Sequence, residues 1–355
     1  MARSLGGTRV LLVTDPGLEH VGHPQRAAQS IEESGLEVFT FDGVKENPTE
    51  REVIAGVEFA RYHAIDFIVA VGGGSSMDCA KAINFILTNG GRMADYKGFG
   101  KAKKPMLPSI GVPTTSGTGS EAQCYALITD ESSHLKMACG DKKAAFRVAI
   151  LDPEVTLSQP RSVTAVTGVD ALAHAVEAFV CTKRNPISAA AALTAWRYLE
   201  PNFARVLEAP SDLDARSAML LGSHFAGMAI ENAMLGVCHS CANPLTAHYG
   251  ITHGTAIGLM LPHVIRFNAP AAGHWYAELV GETGHANGEP PAEILAQRVA
   301  ELVRIAGLPG SLKECGVSES ILPLLAEEAN QQWTARFNPR PVTDTDIHRI
   351  YQAAW

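Results

Sequence analysis

The sequence is short of three things: paired cysteines, positive charge and long apolar runs. Seven cysteines are scattered over 355 residues, so a disulfide framework is not expected and the default compartment is the cytoplasm. The 29 basic and 37 acidic side chains leave a net charge of −8, which argues against nucleic acid or an anionic membrane as a partner. No uninterrupted apolar run reaches the ~18 residues that a membrane helix needs.

The chain is long and rich in apolar residues. A chain of 355 residues with 46% hydrophobic content predicts about two globular domains with sizeable cores. The pattern changes near residue 160, from alternating strands and helices to helices alone. We therefore predict an α/β domain over residues 1–160 and a helical domain over residues 161–355.

Short apolar runs alternate with helical patterns in the first half. The runs at residues 8–14, 37–41, 66–71 and 108–112 predict strands, because they are brief, rich in β-formers and bounded by breakers. Helical spacing at residues 24–33, 49–62 and 77–87 predicts helices, with Thr49 as an N-cap. Strands that alternate with helices favour a parallel sheet with right-handed crossovers.

A glycine-rich loop follows the third predicted strand and precedes a helix. Gly72, Gly73, Gly74 and Ser75 would let the backbone approach a phosphate at the helix N-terminus; the alternative is an ordinary glycine-rich turn. Asp78 lies in the first helical turn, where its charge would repel phosphate. We expect its carboxylate to accept a hydrogen bond from a hydroxyl or a backbone N–H.

A second polar loop, PTTSGTGSE at residues 113–121, follows the fourth predicted strand. Two such loops at the carboxyl ends of strands in one sheet favour a ligand site over two unrelated turns. Asp15 ends the first strand, where a carboxylate can bind ribose hydroxyls and would repel a 2′-phosphate, which favours NAD over NADP; the alternative is a turn cap. No G-x-G-x-x-G follows the first strand, so this is not an ordinary Rossmann domain.

Helical patterns fill the second half, and no strong strand pattern follows Ser162. Helices are predicted over residues 163–180, 187–207, 212–233, 236–249, 255–268 and 294–306. Asp170 and His174 are four residues apart and so share one helix face. Their apolar neighbours indicate burial, where a carboxylate needs a partner or a metal; a simple Asp–His pair is the alternative.

Two later histidines complete a possible ligand set. His239 lies on a helix of small residues and His253 precedes a glycine. One carboxylate and three imidazoles suit Zn²⁺ or Fe²⁺. Cys238 and Cys241 flank His239 but are expected to fill the core rather than to bind metal. His263 is expected to cap or pack at a helix start.

The chain resembles the iron-containing (group III) alcohol dehydrogenases over nearly its whole length. The matching motifs are VGGGSSMDCAK, PTTSGTGSE, TGVDALAHAVEAF and the stretch from Gly236 to Asn268 that contains H-G-x-A-x-x-x-x-L-P-H. The resemblance implies an α/β dinucleotide-binding domain followed by an all-α metal-binding and substrate domain, in the dehydroquinate synthase-like fold. It also implies a homodimeric enzyme that moves a hydride between a primary alcohol or aldehyde and NAD(H).

The resemblance also assigns residues to roles. It implies that Asp170, His174, His239 and His253 hold a divalent metal, with Fe²⁺ favoured over Zn²⁺. The implied NAD contacts are Asp15, Asn47, Gly72, Gly73, Gly74, Ser75, Asp78, Thr114, Thr115, Thr118 and Lys136.

One position departs from the family pattern. Many members have a histidine four residues after the third ligand, and here that position is Asn243, a candidate substrate contact that cannot titrate and so cannot be a general base. Two alternatives stay open, of which only the second is motivated by Asn243. One is a related-fold lyase or synthase that uses NAD transiently, and the other is a catalytically weakened nucleotide-binding homologue.

Overall fold

The computed structural model describes residues 1–131, 136–284 and 288–355. The chain folds into two compact units. The first contains residues 1–115 and 120–158, and the second contains residues 116–119 and 159–355. The short segment 116–119 is therefore counted with the helical unit although it lies in the polar loop of the first half.

The first unit is built on a five-stranded parallel sheet. Its strands, in chain order, are β1 (Arg9–Val13), β2 (Glu37–Phe41), β3 (Phe67–Gly72), β5 (Ser109–Pro113) and β8 (Val148–Ala149). Their order in the sheet is β2-β1-β3-β5-β8. β3 is buried along its whole length, as expected for a central strand covered on both faces. The registers that pair Val13 with Ala70 and Gly72 with Pro113 bring the carboxyl ends of β1, β3 and β5 to one edge.

Three helices and a small second sheet complete this unit. The helices are α1 (His23–Glu33), α2 (Glu50–Tyr62) and α3 (Gly74–Asn89). Thr49 caps α2 as predicted, since its side chain accepts a hydrogen bond from the Arg51 backbone and Glu52 closes a capping box. The second sheet has the order β4-β7-β6, with β4 (Gly98–Phe99), β6 (Tyr125–Thr129) and β7 (Lys136–Gly140).

The regular secondary structure of the second unit is entirely helical in its described residues. Its helices are α4 (Arg161–Val180), α5 (Pro186–Glu208), α6 (Leu213–Asn232), α7 (Val237–Tyr249), α8 (His253–Thr283), α9 (Pro291–Ile305), α10 (Leu322–Gln331) and α11 (Asp344–Ala354). One hydrophobic cluster runs through all eight helices.

Helix α4 is the centre of that cluster. By length and composition it could cross a membrane, but 83% of its apolar stretch is buried inside the unit. Such burial is typical of the core helix of a globular domain, which is apolar on every side.

The prediction of an α/β part followed by a helical part is confirmed, but several details were wrong. The small second sheet and β8 were not predicted. β4 and β8 are only two residues long, whereas β6 and β7 have five residues each. Helix α8 extends to Thr283 and includes Pro262 and Pro270, although the predicted helix ended at Asn268. His263 therefore lies inside a helix and not at its start.

Candidate active site

Helix α4 carries two of the predicted metal ligands. Asp170 and His174 are one helical turn apart, and both are 5% exposed. Oδ1 of Asp170 lies 3.3 Å from Nε2 of His174. The predicted i, i+4 pair is therefore formed, and it is buried.

The other two predicted ligands come from consecutive helices. His239 lies in the first turn of α7, and His253 is the first residue of α8. Nε2 of His239 is 3.3 Å from Oδ1 of Asp170, and Nε2 of His253 is 3.6 Å from the same oxygen. The rings of His174 and His239 stack with their centroids 4.9 Å apart.

The four side chains thus surround one carboxylate oxygen. A ligand atom from each of Asp170, His174 and His239 lies within 4.8 Å of the other two. These three residues are buried, whereas the side chain of His253 is 28% exposed. The cluster is closed on the α4 side and accessible on the His253 side.

The charges in the cluster favour metal binding. Burial acts to raise the pKa of Asp170, but the imidazoles, with His174 first, hold that pKa well below its usual range. Burial lowers the pKa of His174 to about 4, against the opposing charge of Asp170. Burial would also lower the pKa of His239, but the carboxylates of Asp170 and Glu177, one on each side of the ring, raise it to about 9. Asp170 is thus ionised and His174 neutral near pH 7, as metal ligation requires, whereas His239 must release a proton when a cation binds.

Three buried atoms of the cluster side chains also lack a hydrogen-bond partner in the described structure: Oδ1 of Asp170, Nδ1 of His174 and Nε2 of His239. Oδ1 of Asp170 and Nε2 of His239 face each other. Buried polar atoms are nearly always paired, so an unpaired acceptor beside an unpaired ring nitrogen calls for an explanation. A cation between them would satisfy both, and the donor set of one carboxylate and three imidazoles fits Fe²⁺ or Zn²⁺.

Sequence reasoning missed one buried carboxylate beside this cluster. Glu177, on α4, is 3% exposed, and its Oε2 lies 2.5 Å from Nδ1 of His239. The signal was present in the sequence, since Glu177 follows Asp170 by seven residues, or two helical turns.

A glycine allows α8 to begin against α4. A Cβ at Gly254 would lie 2.0 Å from the carbonyl oxygen of Val166 and 2.9 Å from its Cα. Only a residue without a side chain permits this approach. The adjacent residue, His253, therefore depends on Gly254 for its position near Asp170.

The predicted phosphate loop of the first unit joins β3 to α3. Gly73 is the N-cap of α3, so the free backbone N–H groups of the helix begin there. The backbone N–H of Thr114 donates to the carbonyl of Gly72 over 2.9 Å. A Cβ at Gly73 would lie 3.3 Å from Cγ2 of Thr115. The glycine-rich loop after β3 and the start of the polar loop at residues 113–121 are therefore neighbours, as predicted from the positions of their strands.

Asp15 and Asn47 flank this loop. The side chain of Ser76 donates to Oδ2 of Asp15 over 3.0 Å. Asn47 has a φ of +51°, an uncommon left-handed conformation, and its backbone N–H donates to the hydroxyl of Ser75 over 3.2 Å. Both residues thus lie beside the N-terminal turn of α3.

Asp78 faces a buried polar network. Its Oδ1 accepts from the hydroxyl of Ser120 over 2.5 Å, and its Oδ2 accepts from the backbone of Leu127 over 3.2 Å. The ammonium of Lys81 donates to the carbonyls of Ser120 and Tyr125, each over 2.7 Å. Asp78 was expected to accept from a hydroxyl or a backbone N–H, and it accepts from both. These bonds hold the end of the polar loop at residues 113–121.

The remaining predicted contacts lie elsewhere. Thr118 belongs to the segment counted with the second unit, and Lys136 is the exposed first residue of β7. Asn243 lies one turn after His239 on α7, and its side-chain amide donates to Oε1 of Gln332 over 3.2 Å. Cys238 and Cys241 are fully buried thiols, in agreement with a packing role.

Comparison with known proteins identifies the family. The iron-containing alcohol dehydrogenase model matches residues 1–153, and the C-terminal model of the Fe-containing alcohol dehydrogenase family matches residues 164–355. Alcohol dehydrogenase 4 of Schizosaccharomyces pombe is 37% identical over 98% of this chain and 83% of its own length. The NAD-dependent methanol dehydrogenase of Bacillus methanolicus is 35% identical over 99% of this chain and 93% of its own.

A solved structure agrees with these matches. The crystal structure of a 1,3-propanediol oxidoreductase superposes with a TM-score of 0.96 and 35% identity, over 100% of this chain and 94% of that one. The α/β and helical units with their polar clusters thus define an oxidoreductase of the alcohol dehydrogenase class. The chain belongs to the iron-containing alcohol dehydrogenase family. The predicted family, fold class and dehydrogenase activity are confirmed, and the comparisons give no support to a lyase or synthase.

Proposed function

We propose that the protein is an NAD-dependent dehydrogenase of small primary alcohols, or a reductase of the matching aldehydes, with Fe²⁺ in the cluster around Asp170. The observation that carries the proposal is the buried pair of unpartnered atoms on Asp170 and His239. Asp170, His174, His239 and His253 would hold the cation. A divalent cation there supplies Lewis acidity toward an alcohol or carbonyl oxygen.

The first unit supplies the dinucleotide site in this proposal. Residues 1–160 form the NAD-binding domain, and residues 161–355 form the metal-binding and substrate domain. The phosphates lie at the N-terminus of α3, where Gly73 begins the helix and its free N–H groups attract anions. Asp15 accepts hydrogen bonds from the adenosine ribose and repels a 2′-phosphate, which favours NAD over NADP. The remaining proposed contacts are Asn47, Gly72, Gly74, Ser75, Asp78, Thr114, Thr115, Thr118 and Lys136.

Asn243 is the proposed substrate contact. Its amide group is oriented by Gln332, so its carbonyl oxygen is available to accept a hydrogen bond from a substrate hydroxyl. An amide does not titrate, so the alcohol proton leaves by water or by a ribose hydroxyl rather than by this side chain. Short substrates with a second hydroxyl are therefore favoured over simple alcohols.

A cytoplasmic homodimer is the proposed state of the enzyme. All seven cysteines are free thiols, as is usual in a reducing compartment. Size measurement by light scattering tests the dimer, and a mass of about one chain, 37.7 kDa, would contradict it.

Metal analysis together with an activity screen tests the function. Purified protein should contain one metal per chain and reduce NAD⁺ faster than NADP⁺ with short alcohols or diols. Reloading the chelator-treated protein with Fe²⁺ or Zn²⁺ tests the preference for iron, which equal activity with both would contradict.

The ligand assignment is tested by His253→Ala. This variant should lose bound metal and dehydrogenase activity, because it removes one of four ligands. His248→Ala is the matched control, since His248 is an exposed histidine that pairs with Glu328. Retention of one metal per chain in His253→Ala would refute the assignment.

A further inference from the structure

Glu177 shares a face of α4 with Asp170 and His174. The three residues follow one another at intervals of four and three, which places them along one side of an α-helix. All three are buried, and Glu177 is 3% exposed. One helix therefore presents two proposed ligands, Asp170 and His174, and a second carboxylate, Glu177, toward the start of α7.

Both oxygens of Glu177 are used by consecutive residues of α7. Oε1 accepts from the backbone N–H of Cys238 over 2.8 Å, and Oε2 lies 2.5 Å from Nδ1 of His239. Gly236, the N-cap of α7, has no side chain with which to cap the helix. Glu177 takes over that function from α4, and a negative charge there is favoured by the helix dipole.

The surroundings leave the carboxylate little freedom. A Cβ at Gly236 would lie 2.8 Å from Oε1 of Glu177 and 3.0 Å from Oδ1 of Asn338. That same oxygen of Asn338 accepts from the amide of Asn268 over 3.0 Å. Glu177 is thus enclosed by groups that are themselves fixed.

We propose that Glu177 is a positioning residue that holds His239 in the ring orientation needed for metal binding. Acceptance of the Nδ1 hydrogen by Glu177 leaves the lone pair on Nε2, the nitrogen that faces Asp170. The contact with Cys238 fixes the position of α7, and the contact with His239 fixes the rotation of its ring. The inference rests on the metal assignment proposed above.

Glu177→Gln is the test variant because it keeps the shape of the side chain. A carboxamide has one oxygen for two N–H donors, so either Cys238 or His239 loses its acceptor. Glu200→Gln is the matched control. Glu200 is also a buried glutamate of the second unit, 2% exposed, and it accepts from Nε of Arg298 over 2.6 Å.

The measurement is metal affinity of the full-length, metal-free protein, titrated with Zn²⁺ against a competing chelator. We expect Glu177→Gln to bind about 10–100-fold more weakly than wild type, and Glu200→Gln to bind as wild type does. The thermal midpoint of both metal-free variants should fall. A purely structural role for Glu177 would lower the midpoint and leave the affinity unchanged.

The outcomes separate this inference from the proposed function. If wild type binds one Zn²⁺ per chain and Glu177→Gln binds it within twofold, the inference is overturned and the metal site stands. If wild type binds no metal, both are overturned.

A second measurement reads the ring of His239 directly in the wild-type protein. In zinc-loaded wild type with ¹⁵N-labelled histidine, the resonance of His239, assigned by its loss in His239→Asn, should show the hydrogen on Nδ1. A hydrogen on Nε2 would also overturn the inference.

Discussion

Substitution of Gly254 by alanine should disable the metal cluster without touching any of the four proposed ligands. The new Cβ would lie 2.0 Å from the carbonyl oxygen of Val166, where ordinary contact starts at 3.4 Å. The shortfall is about 1.4 Å, and the obstacle is backbone on a buried helix. The start of α8 must therefore move away from α4, and His253 moves with it.

The size of the effect follows from that displacement. A misplacement of about 1 Å at a reacting centre can cost on the order of 100-fold in rate, and overpacking of this kind costs about 1–3 kcal/mol of stability. We expect Gly254→Ala to lose most of its kcat and to bind metal weakly. The assays are kcat with NAD⁺ and a short alcohol, metal per chain, and thermal unfolding with and without a chelator.

Gly273→Ala on the same helix is the control. A Cβ there meets nothing within 4 Å, so the change should leave kcat unchanged and add about 0.5–1 kcal/mol of helix stability. The reasoning would be refuted if Gly254→Ala kept one metal per chain and a kcat within twofold of wild type.

Three further predictions concern single side chains. Asp15→Gly should relax the preference for NAD over NADP, and an unchanged ratio of kcat/KM for the two cofactors would contradict the role of Asp15. Asn243→His should raise kcat at neutral pH by adding a group that titrates near pH 6.5, and an unaltered pH–rate profile would dismiss this idea. For Asp66, burial acts to raise the pKa, but hydrogen bonds from Thr8 and the backbone of Arg9 hold it below the usual value of 3.8. Its stabilising contribution is therefore present above pH 3.8 and lost as the pH falls through the lowered pKa. In urea unfolding, Asp66→Asn should flatten the acid-side loss of stability, and parallel curves for variant and wild type would contradict this.

Much of the first unit could be predicted from local pattern, since strands such as β3 are short buried runs bounded by glycine. The parallel pairing of these strands also follows from the alternation of strands and helices. Strands β6 and β7 of the second sheet, five residues each, pair with one another and were missed by the prediction. Strand β4 could not be predicted, because it contains only Gly98 and Phe99 and its pairing with β7 depends on distant residues. Non-local pairing leaves little trace in a short window of sequence.

Prolines misled the prediction of α8. Proline removes a backbone donor and usually ends a helix, and the predicted helix stopped at Asn268, two residues before Pro270, although it already contained Pro262. In the structure, the buried face continues to Val280, and packing of that face outweighs the lost hydrogen bonds. Helix propensity depends on local sequence, whereas the packing that stabilises α8 past its prolines depends on the neighbouring helices.

Only part of the candidate site could be predicted, because spacing along one helix is visible in the sequence whereas packing between helices is not. Asp170 and His174 share one helix face, which sequence spacing shows directly. Their approach to His239 and His253 depends on how α7 and α8 pack, and only the family resemblance indicated it. Glu177 was overlooked, although the helical period that paired Asp170 with His174 extends to it.

The apolar character of α4 has a consequence for how the protein is made. The helix is complete by Val180, but the residues that cover it reach as far as α8 and beyond, so it leaves the ribosome well before its partners. Until then it is a 20-residue segment with the composition of a membrane helix, and only α5 and α6 are available to cover part of it. Chains that end before α8 therefore expose apolar surface of α4 and are prone to aggregate. Synthesis of the later helices is needed to cover the helix that carries Asp170.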